Sequence, residues 1–119
     1  MDANELKKRA QAFGLRILRL VQTLPNYGPA VLLGRQLLSC GTSVGANYRA
    51  ACRAKSRADF IAKLKIVEEE CDESIYWMEL IKAAKLDRQN LLSPLISEAG
   101  EILSIVVASI QTARTRATS

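Results

Sequence analysis

The sequence predicts an all-α protein, an antiparallel up-and-down four-helix bundle that occupies residues 1–119 as one domain. Apolar residues recur about every three to four positions in four segments, and no stretch shows the strict alternation of a β-strand. Short turn signals separate the segments, so neighbouring helices are expected to run antiparallel. At 119 residues the chain is long enough to bury a core of its own.

The first helix is expected over about residues 4–24 and should end before Pro25. Its apolar stripe consists of Leu6, Ala10, Phe13, Ile17, Leu20, Val21 and Leu24. Leu15 and Leu18 lie about 120–180° away from that stripe at ~100° per residue. A monomer would leave both leucines exposed to water, which favours an interface with another copy of the chain.

The second helix is expected over about residues 29–53, with Pro29 in its first turn. It is rich in small residues, among them Gly34, Gly41 and Gly45. Each glycine lowers helix stability by about 1 kcal/mol relative to alanine, so several of them imply the close approach of another backbone. Asn47 interrupts the apolar stripe. With Ser43 it is interpreted as a structural polar pair that fixes helix register rather than as a ligand site.

The third helix is expected over about residues 57–84, because Ser56 can cap its first turn and Asp59 places an acid there. Beside its core stripe runs a second stripe that mixes carboxylates with large apolar residues, namely Ile66, Glu70, Glu73, Trp77 and Leu80. One four-helix core cannot bury both stripes. The second stripe, together with Leu15 and Leu18, is therefore predicted to form the interface of a homo-oligomer.

The fourth helix is expected over about residues 87–113, where apolar residues alternate at three- and four-residue spacing. Pro94 falls early in this segment, so the first turn is expected to be irregular or the helix to begin at Ser93. The longest apolar run, residues 102–110, is interrupted by serines and is shorter than the ~20 residues that a membrane span needs. We expect a cytoplasmic protein without a membrane partner.

The composition argues against catalysis and metal binding. Histidine is absent, which removes the commonest general base and a common metal ligand. The acids of residues 68–73 would need histidines and carboxylates from other helices to hold a pair of metal ions. Cys40, Cys52 and Cys71 show no CxxC spacing and are expected to be reduced and mostly buried. No cofactor, metal or catalytic residue is predicted.

Positive charge is concentrated in the first half of the chain. Residues 1–56 carry nine basic and two acidic side chains, whereas residues 57–119 carry eight and ten. The predicted nucleic-acid-binding residues are Arg49, Arg53, Lys55 and Arg57, with Arg35 on the same helical face within ~40°. Such a group suits the phosphates of RNA or DNA. Because few aromatic residues lie near it, recognition is expected to follow backbone and shape rather than sequence.

Three motifs resemble those of the bacterial four helix bundle protein family: SVGANYRAA at 43–51, AKSRADFIAKL at 54–64 and ECDESIYWMEL at 70–80. That family includes proteins encoded in intervening sequences of large-subunit ribosomal RNA genes, and is similar to the accessory variability determinant of diversity-generating retroelements. The matching positions are Ser43, Asn47, Arg53, Ser56, Asp59, Phe60, Lys63, Glu70, Glu73 and Trp77. Many relatives have an acid shortly after the asparagine, where this chain has Ala50, so any role of that carboxylate is missing or moved.

The resemblance implies a non-enzymatic, ring-forming homo-oligomer, commonly a pentamer. In the retroelement branch it also implies a basic surface that engages nucleic acid and a reverse transcriptase. The leading hypothesis is therefore a non-catalytic oligomer that binds RNA or DNA, as an accessory to a nucleic-acid enzyme. The alternative is a purely structural protein–protein scaffold whose charges only pair copies of the chain.

Overall fold

Four helices form the fold in the computed structural model, which describes residues 1–118 and the side chains of residues 1–116. They are α1 (Ala3–Thr23), α2 (Pro29–Ala51), α3 (Arg57–Ala83) and α4 (Leu92–Thr118). Consecutive helices pack side by side, and α1 meets α4 along the last seam, so the chain runs up and down around one core. The bundle measures 52 × 21 × 20 Å. The described residues contain no strand, and the predicted all-α four-helix class is confirmed.

Side-chain caps set several helix ends. The Asp2 carboxylate accepts from the Glu5 amide at 2.8 Å, and the Ser56 hydroxyl accepts from the Asp59 amide at 3.0 Å, as predicted for the start of α3. The fourth helix begins at Leu92, one residue before the alternative start at Ser93 and not at the expected residue 87. The Asp87 carboxylate accepts from the amides of Leu91 at 3.0 Å and Leu92 at 2.8 Å, which holds residues 87–91 in a turn before α4 begins.

The glycines of α2 allow close packing against α1. A Cβ atom at Gly41 would lie 2.9 Å from Cγ2 of Ile17, and one at Gly45 would lie 3.4 Å from the backbone of Ala10. Ile17 and Ala10 are both buried core residues of α1. The close backbone approach predicted from the small residues is confirmed.

The seam between α1 and α4 is the least closely packed of the bundle, and a three-residue ion-pair cluster closes it. Arg9 Nε and Nη2 donate to the two carboxylate oxygens of Glu98 at 2.7 Å each, and Nη2 also donates to Glu101 at 2.8 Å. The hydrogen bonds from Arg9 lower the pKa of Glu98. Both Arg9 and Glu98 are largely shielded from solvent, which strengthens the pair relative to a fully exposed one.

Within α4, the segment Leu92–Arg116 has the length and composition that a membrane span also has, with a mean hydropathy of 1.4. The core helix of a bundle meets the same criteria. Ile102, Val106 and Ile110 are buried against the other helices, as such a core helix requires.

Candidate nucleic-acid interface

The connection between α2 and α3 displays four cationic side chains, which we call the basic turn. Arg49 lies in the last turn of α2, Arg53 and Lys55 lie in the connection, and Arg57 is the first residue of α3. All four are exposed, and none forms a salt bridge with a described residue. The backbone of the turn is fixed by short-range hydrogen bonds, including that from the Arg53 amide to the Ala50 carbonyl at 3.1 Å.

Asp59, in the first turn of α3 beside the basic turn, is already engaged. Lys63 Nζ donates to one oxygen of Asp59 at 2.6 Å, and the Lys55 amide donates to the other at 3.2 Å. These hydrogen bonds, that of Lys63 first, lower the pKa of Asp59, so the group remains a carboxylate satisfied by its own neighbours. The four cations of the turn are exposed and form no salt bridge with Asp59.

Arg35 lies apart from the basic turn. It is exposed on α2, but the 14 residues that separate it from Arg49 correspond to ~21 Å along a helix. Because α2 ends at Ala51, Arg53 does not continue the helical face on which Arg35 and Arg49 were grouped. A nucleic-acid strand that contacts the basic turn would have to run along the side of α2 to reach Arg35.

The antiparallel course of the chain brings further positive charge to the same end of the bundle. The C-terminal part of α4 carries the exposed Arg114 and Arg116, and Arg116 lines a groove together with Arg57 and Met1. Sequence reasoning missed these two arginines because charge was counted along the chain. Counting the positive charges at each end of the predicted antiparallel bundle would have found these two arginines. We call the basic turn with Arg114 and Arg116 the basic end.

The predicted interface residues lie on two separate faces. The α1 face contains Leu15 and Leu18, which are 46% and 39% exposed. The α3 face contains Ile66, Glu70, Glu73, Trp77 and Leu80, of which Ile66 and Leu80 are 41% and 38% exposed. Helices α1 and α3 are diagonal in the bundle and do not pack against each other. The two faces therefore do not form one continuous surface on a single copy of the chain.

The α3 face holds two polar groups in unfavourable environments, Trp77 Nε1 and the Glu70 carboxyl group. Trp77 is partly buried, and its Nε1 is a buried donor without an acceptor among the described residues. Its ring lies edge-on to Tyr76, with ring centroids 5.1 Å apart. Burial, and then the neighbouring charges of Glu73 and Glu69, raise the pKa of Glu70. An acceptor from outside the chain would satisfy the Trp77 Nε1 donor, and a positive group would stabilise the Glu70 carboxylate.

Asn47 and Ser43 bond within their own helix. Asn47 is partly exposed, and its Nδ2 donates to the Ser43 carbonyl at 2.9 Å. The Ser43 hydroxyl donates to the Ser39 carbonyl at 2.7 Å. The buried partner on another helix that a register-fixing amide needs is not found in the described part of the chain. The angular estimate placed Asn47 in the core stripe, whereas the bundle leaves it at the stripe's edge.

The remaining reactive groups are the three cysteines and the acids of residues 69–73. The buried Cys71 donates to the Ala99 carbonyl at 3.1 Å, and burial raises its pKa to about 12. Cys40 is also buried and Cys52 partly exposed, so the prediction of free, mostly buried thiols is confirmed. The acids of residues 69–73 line a surface depression beside Tyr76, and no three of the described ligand-type residues are placed to hold a metal ion.

Comparison with known proteins places this bundle in a family. Residues 2–108 match the model of the 23S rRNA-intervening sequence protein family. A crystal structure of a protein of unknown function from the S23 ribosomal protein family of Bacteroides thetaiotaomicron is 34% identical, covering 93% of this chain and 99% of that one, with a TM-score of 0.86. Among the curated proteins, none matches. The chain belongs to the family of 23S rRNA-intervening sequence proteins.

Proposed function

We propose that this protein is a cytoplasmic, non-catalytic bundle that binds RNA or DNA through its basic end and self-associates through its side faces. The observation that carries the proposal is the basic turn, whose four exposed cations form no salt bridge with a described residue while the neighbouring Asp59 is held by Lys63. Phosphate backbones are the common ligands of such groups. The family's link to ribosomal RNA genes is consistent with this role.

Self-association is the second part of the proposal. Two different faces at diagonal corners of the bundle suit a head-to-tail contact, in which the α1 face of one copy meets the α3 face of the next. Arg16 and Arg19, exposed beside the α1 leucines, complement Glu70 and Glu73 in charge. Heterologous contacts of this kind close into rings when the rotation permits. We propose a ring, of which the pentamer implied by the resemblance is the expected form, acting beside a nucleic-acid enzyme such as a reverse transcriptase.

The binding test is fluorescence anisotropy with labelled single-stranded RNA and DNA over a series of salt concentrations. For single strands the logarithm of affinity should fall against that of salt with a slope of about −0.7 per neutralised phosphate, or about −3 for the four cations of the basic turn. The double variant Arg49→Glu, Arg53→Glu should abolish binding and leave helical content and oligomeric state unchanged.

The matched control is Lys85→Glu, Arg88→Glu, which makes the same change in net charge in the connection between α3 and α4, at the other end of the bundle. It should keep most of the affinity. Equal losses in both double variants would show that only net charge matters and would refute a site at the basic end.

The alternative is a protein–protein scaffold that binds no nucleic acid. The exposed apolar residues of the α1 and α3 faces favour it, because they suit contacts between proteins and have no role in phosphate binding. A wild-type protein that assembles but retains neither RNA nor DNA at low salt would establish the scaffold and reject the leading proposal.

A further inference from the structure

A groove at the basic end lies between the first turns of α3 and the last turns of α4. Its cavity volume is about 540 Å³. Phe60 and Ile105 supply apolar surface, and both pack partly against the core. Arg57 and Arg116 line it from the two different helices, and Thr112 adds a hydroxyl group. The groove thus combines an aromatic side chain, an apolar wall and two guanidinium groups.

We propose that this groove takes one unpaired nucleobase of a bound strand, stacked against Phe60, while Arg57 and Arg116 contact the flanking phosphates. This inference rests on the proposed nucleic-acid binding and gives it a preference for single strands over duplexes. A base in a duplex is stacked on its neighbours and cannot enter a side groove, whereas an unpaired base can.

Charge and size support a nucleotide as the occupant. No carboxylate is among the described residues that line the groove, so none of these residues repels a phosphate. Arg57 belongs to both the groove and the basic turn, so a strand lying along Arg53 and Lys55 would pass its opening. The volume falls within the ~300–1,000 Å³ typical of small-molecule sites, which leaves room for a single base with its sugar. Proteins that bind single strands commonly combine a line of basic residues with aromatic side chains on which the bases stack.

The sequence did not reveal this site. Phe60 falls on the core stripe of α3, where an aromatic residue is typical of ordinary core packing, and recognition was expected to follow backbone and shape rather than sequence. The opening exists because Phe60 lies in the first turn of α3, where the opposing turns of α4 present Ala108, Ser109 and Thr112 rather than large side chains.

The test compares two labelled strands of equal length and charge, one of adenine nucleotides and one of abasic tetrahydrofuran units. A length of about ten nucleotides lies within the ~4–16 that a small single-strand binder covers. Wild-type protein should bind the adenine strand about tenfold more tightly, near the lower end of what one stacked base contributes. Phe60→Leu keeps an apolar side chain but removes the aromatic face, and should erase the preference while leaving abasic affinity unchanged.

A second variant guards against a folding defect at Phe60. Ala108→Leu fills the groove from the exposed side of α4 and should erase the same preference, whereas Ala62→Leu, an exposed alanine of α3 outside the groove, should not. Circular dichroism checks that helical content is kept in all three variants.

The outcomes separate this inference from the proposed function. Equal wild-type binding of both strands, with sensitivity to Arg49→Glu, Arg53→Glu retained, would reject the base site and keep the basic end as a phosphate site. Binding of neither strand at low salt would reject both. A duplex bound as tightly as the adenine strand, or Phe60→Leu weakening abasic binding equally, would also reject the base site.

Discussion

Replacing Gly41 by alanine tests whether the glycines of α2 exist for close packing. Alanine raises helix propensity by about 1 kcal/mol. The added Cβ would lie 2.9 Å from Cγ2 and 3.0 Å from Cγ1 of Ile17, a fully buried and β-branched residue that has little freedom to move aside. Overpacking of this kind costs ~1–3 kcal/mol. We expect Gly41→Ala to be destabilised by about 1 kcal/mol after the two effects are combined.

Gly100→Ala in α4 is the matched control, because a Cβ atom added at Gly100 would have no described atom of another residue within 4 Å beyond its own helix backbone and chain neighbours. There the propensity gain of about 1 kcal/mol should appear undiminished. The two variants should therefore differ by about 2 kcal/mol in the free energy of unfolding. Urea unfolding followed by circular dichroism measures this difference at one fixed protein concentration, since the proposed assembly would make stability concentration-dependent. A Gly41→Ala protein as stable as Gly100→Ala would contradict the close-packing argument.

Three further outcomes follow from the described contacts. Arg9 lowers the pKa of Glu98, so this pair stabilises the fold above the unfolded pKa of ~4.3. The stabilisation is lost as the pH falls through the pKa of Glu98 in the folded state. Acid should therefore reduce the melting temperature of wild type more than that of Glu98→Gln. Asn47→Ala should change the free energy of unfolding by less than about 0.5 kcal/mol, because its bond goes to a carbonyl of its own helix; a loss above ~1 kcal/mol would point to a partner in another copy. Trp77→Ala should dissociate the proposed oligomer in light scattering, whereas Leu91→Ala, which changes an exposed leucine outside both faces, should not.

The fold was predictable because the apolar period alone determines which side of each helix is buried. The departures occur where a single side chain outweighs that period. Asp87 accepts two amide hydrogen bonds from residues that periodicity had placed inside the fourth helix, and this delays the start of α4 to Leu92. Asn47 was judged from an angle on an ideal helix, yet its burial depends on how closely the neighbouring helices pack around it, which the sequence of α2 does not contain.

The candidate site was predictable where its residues are neighbours in sequence and not where they come from distant segments. The basic turn is a run of the chain, so its composition revealed it. The groove needs Phe60 and Arg116, which are brought together only by the antiparallel return of α4. The same is true of Arg9 and Glu98, whose ion pair joins the first helix to the last. Residues from distant segments can be paired only when the order and direction of the helices in the bundle are taken into account.

The proposed assembly and the proposed nucleic-acid binding would be linked by where the fold places their residues. The proposed side faces run along the 52 Å axis of the bundle, whereas the basic end caps it, so one copy can use both at once. In a ring with a single rotation axis all copies point the same way, which gathers their basic ends on one rim. Neighbouring ends would then lie roughly one bundle width apart, ~20 Å, a distance that about six nucleotides span at ~3.4 Å each. Strands longer than this can contact a second copy, and the effective concentration of that contact multiplies weak phosphate binding. The proposed head-to-tail ring would thus turn a modest basic turn into a useful nucleic-acid surface, while a contact that inverts alternate copies would divide the basic ends between two rims and lose that gain.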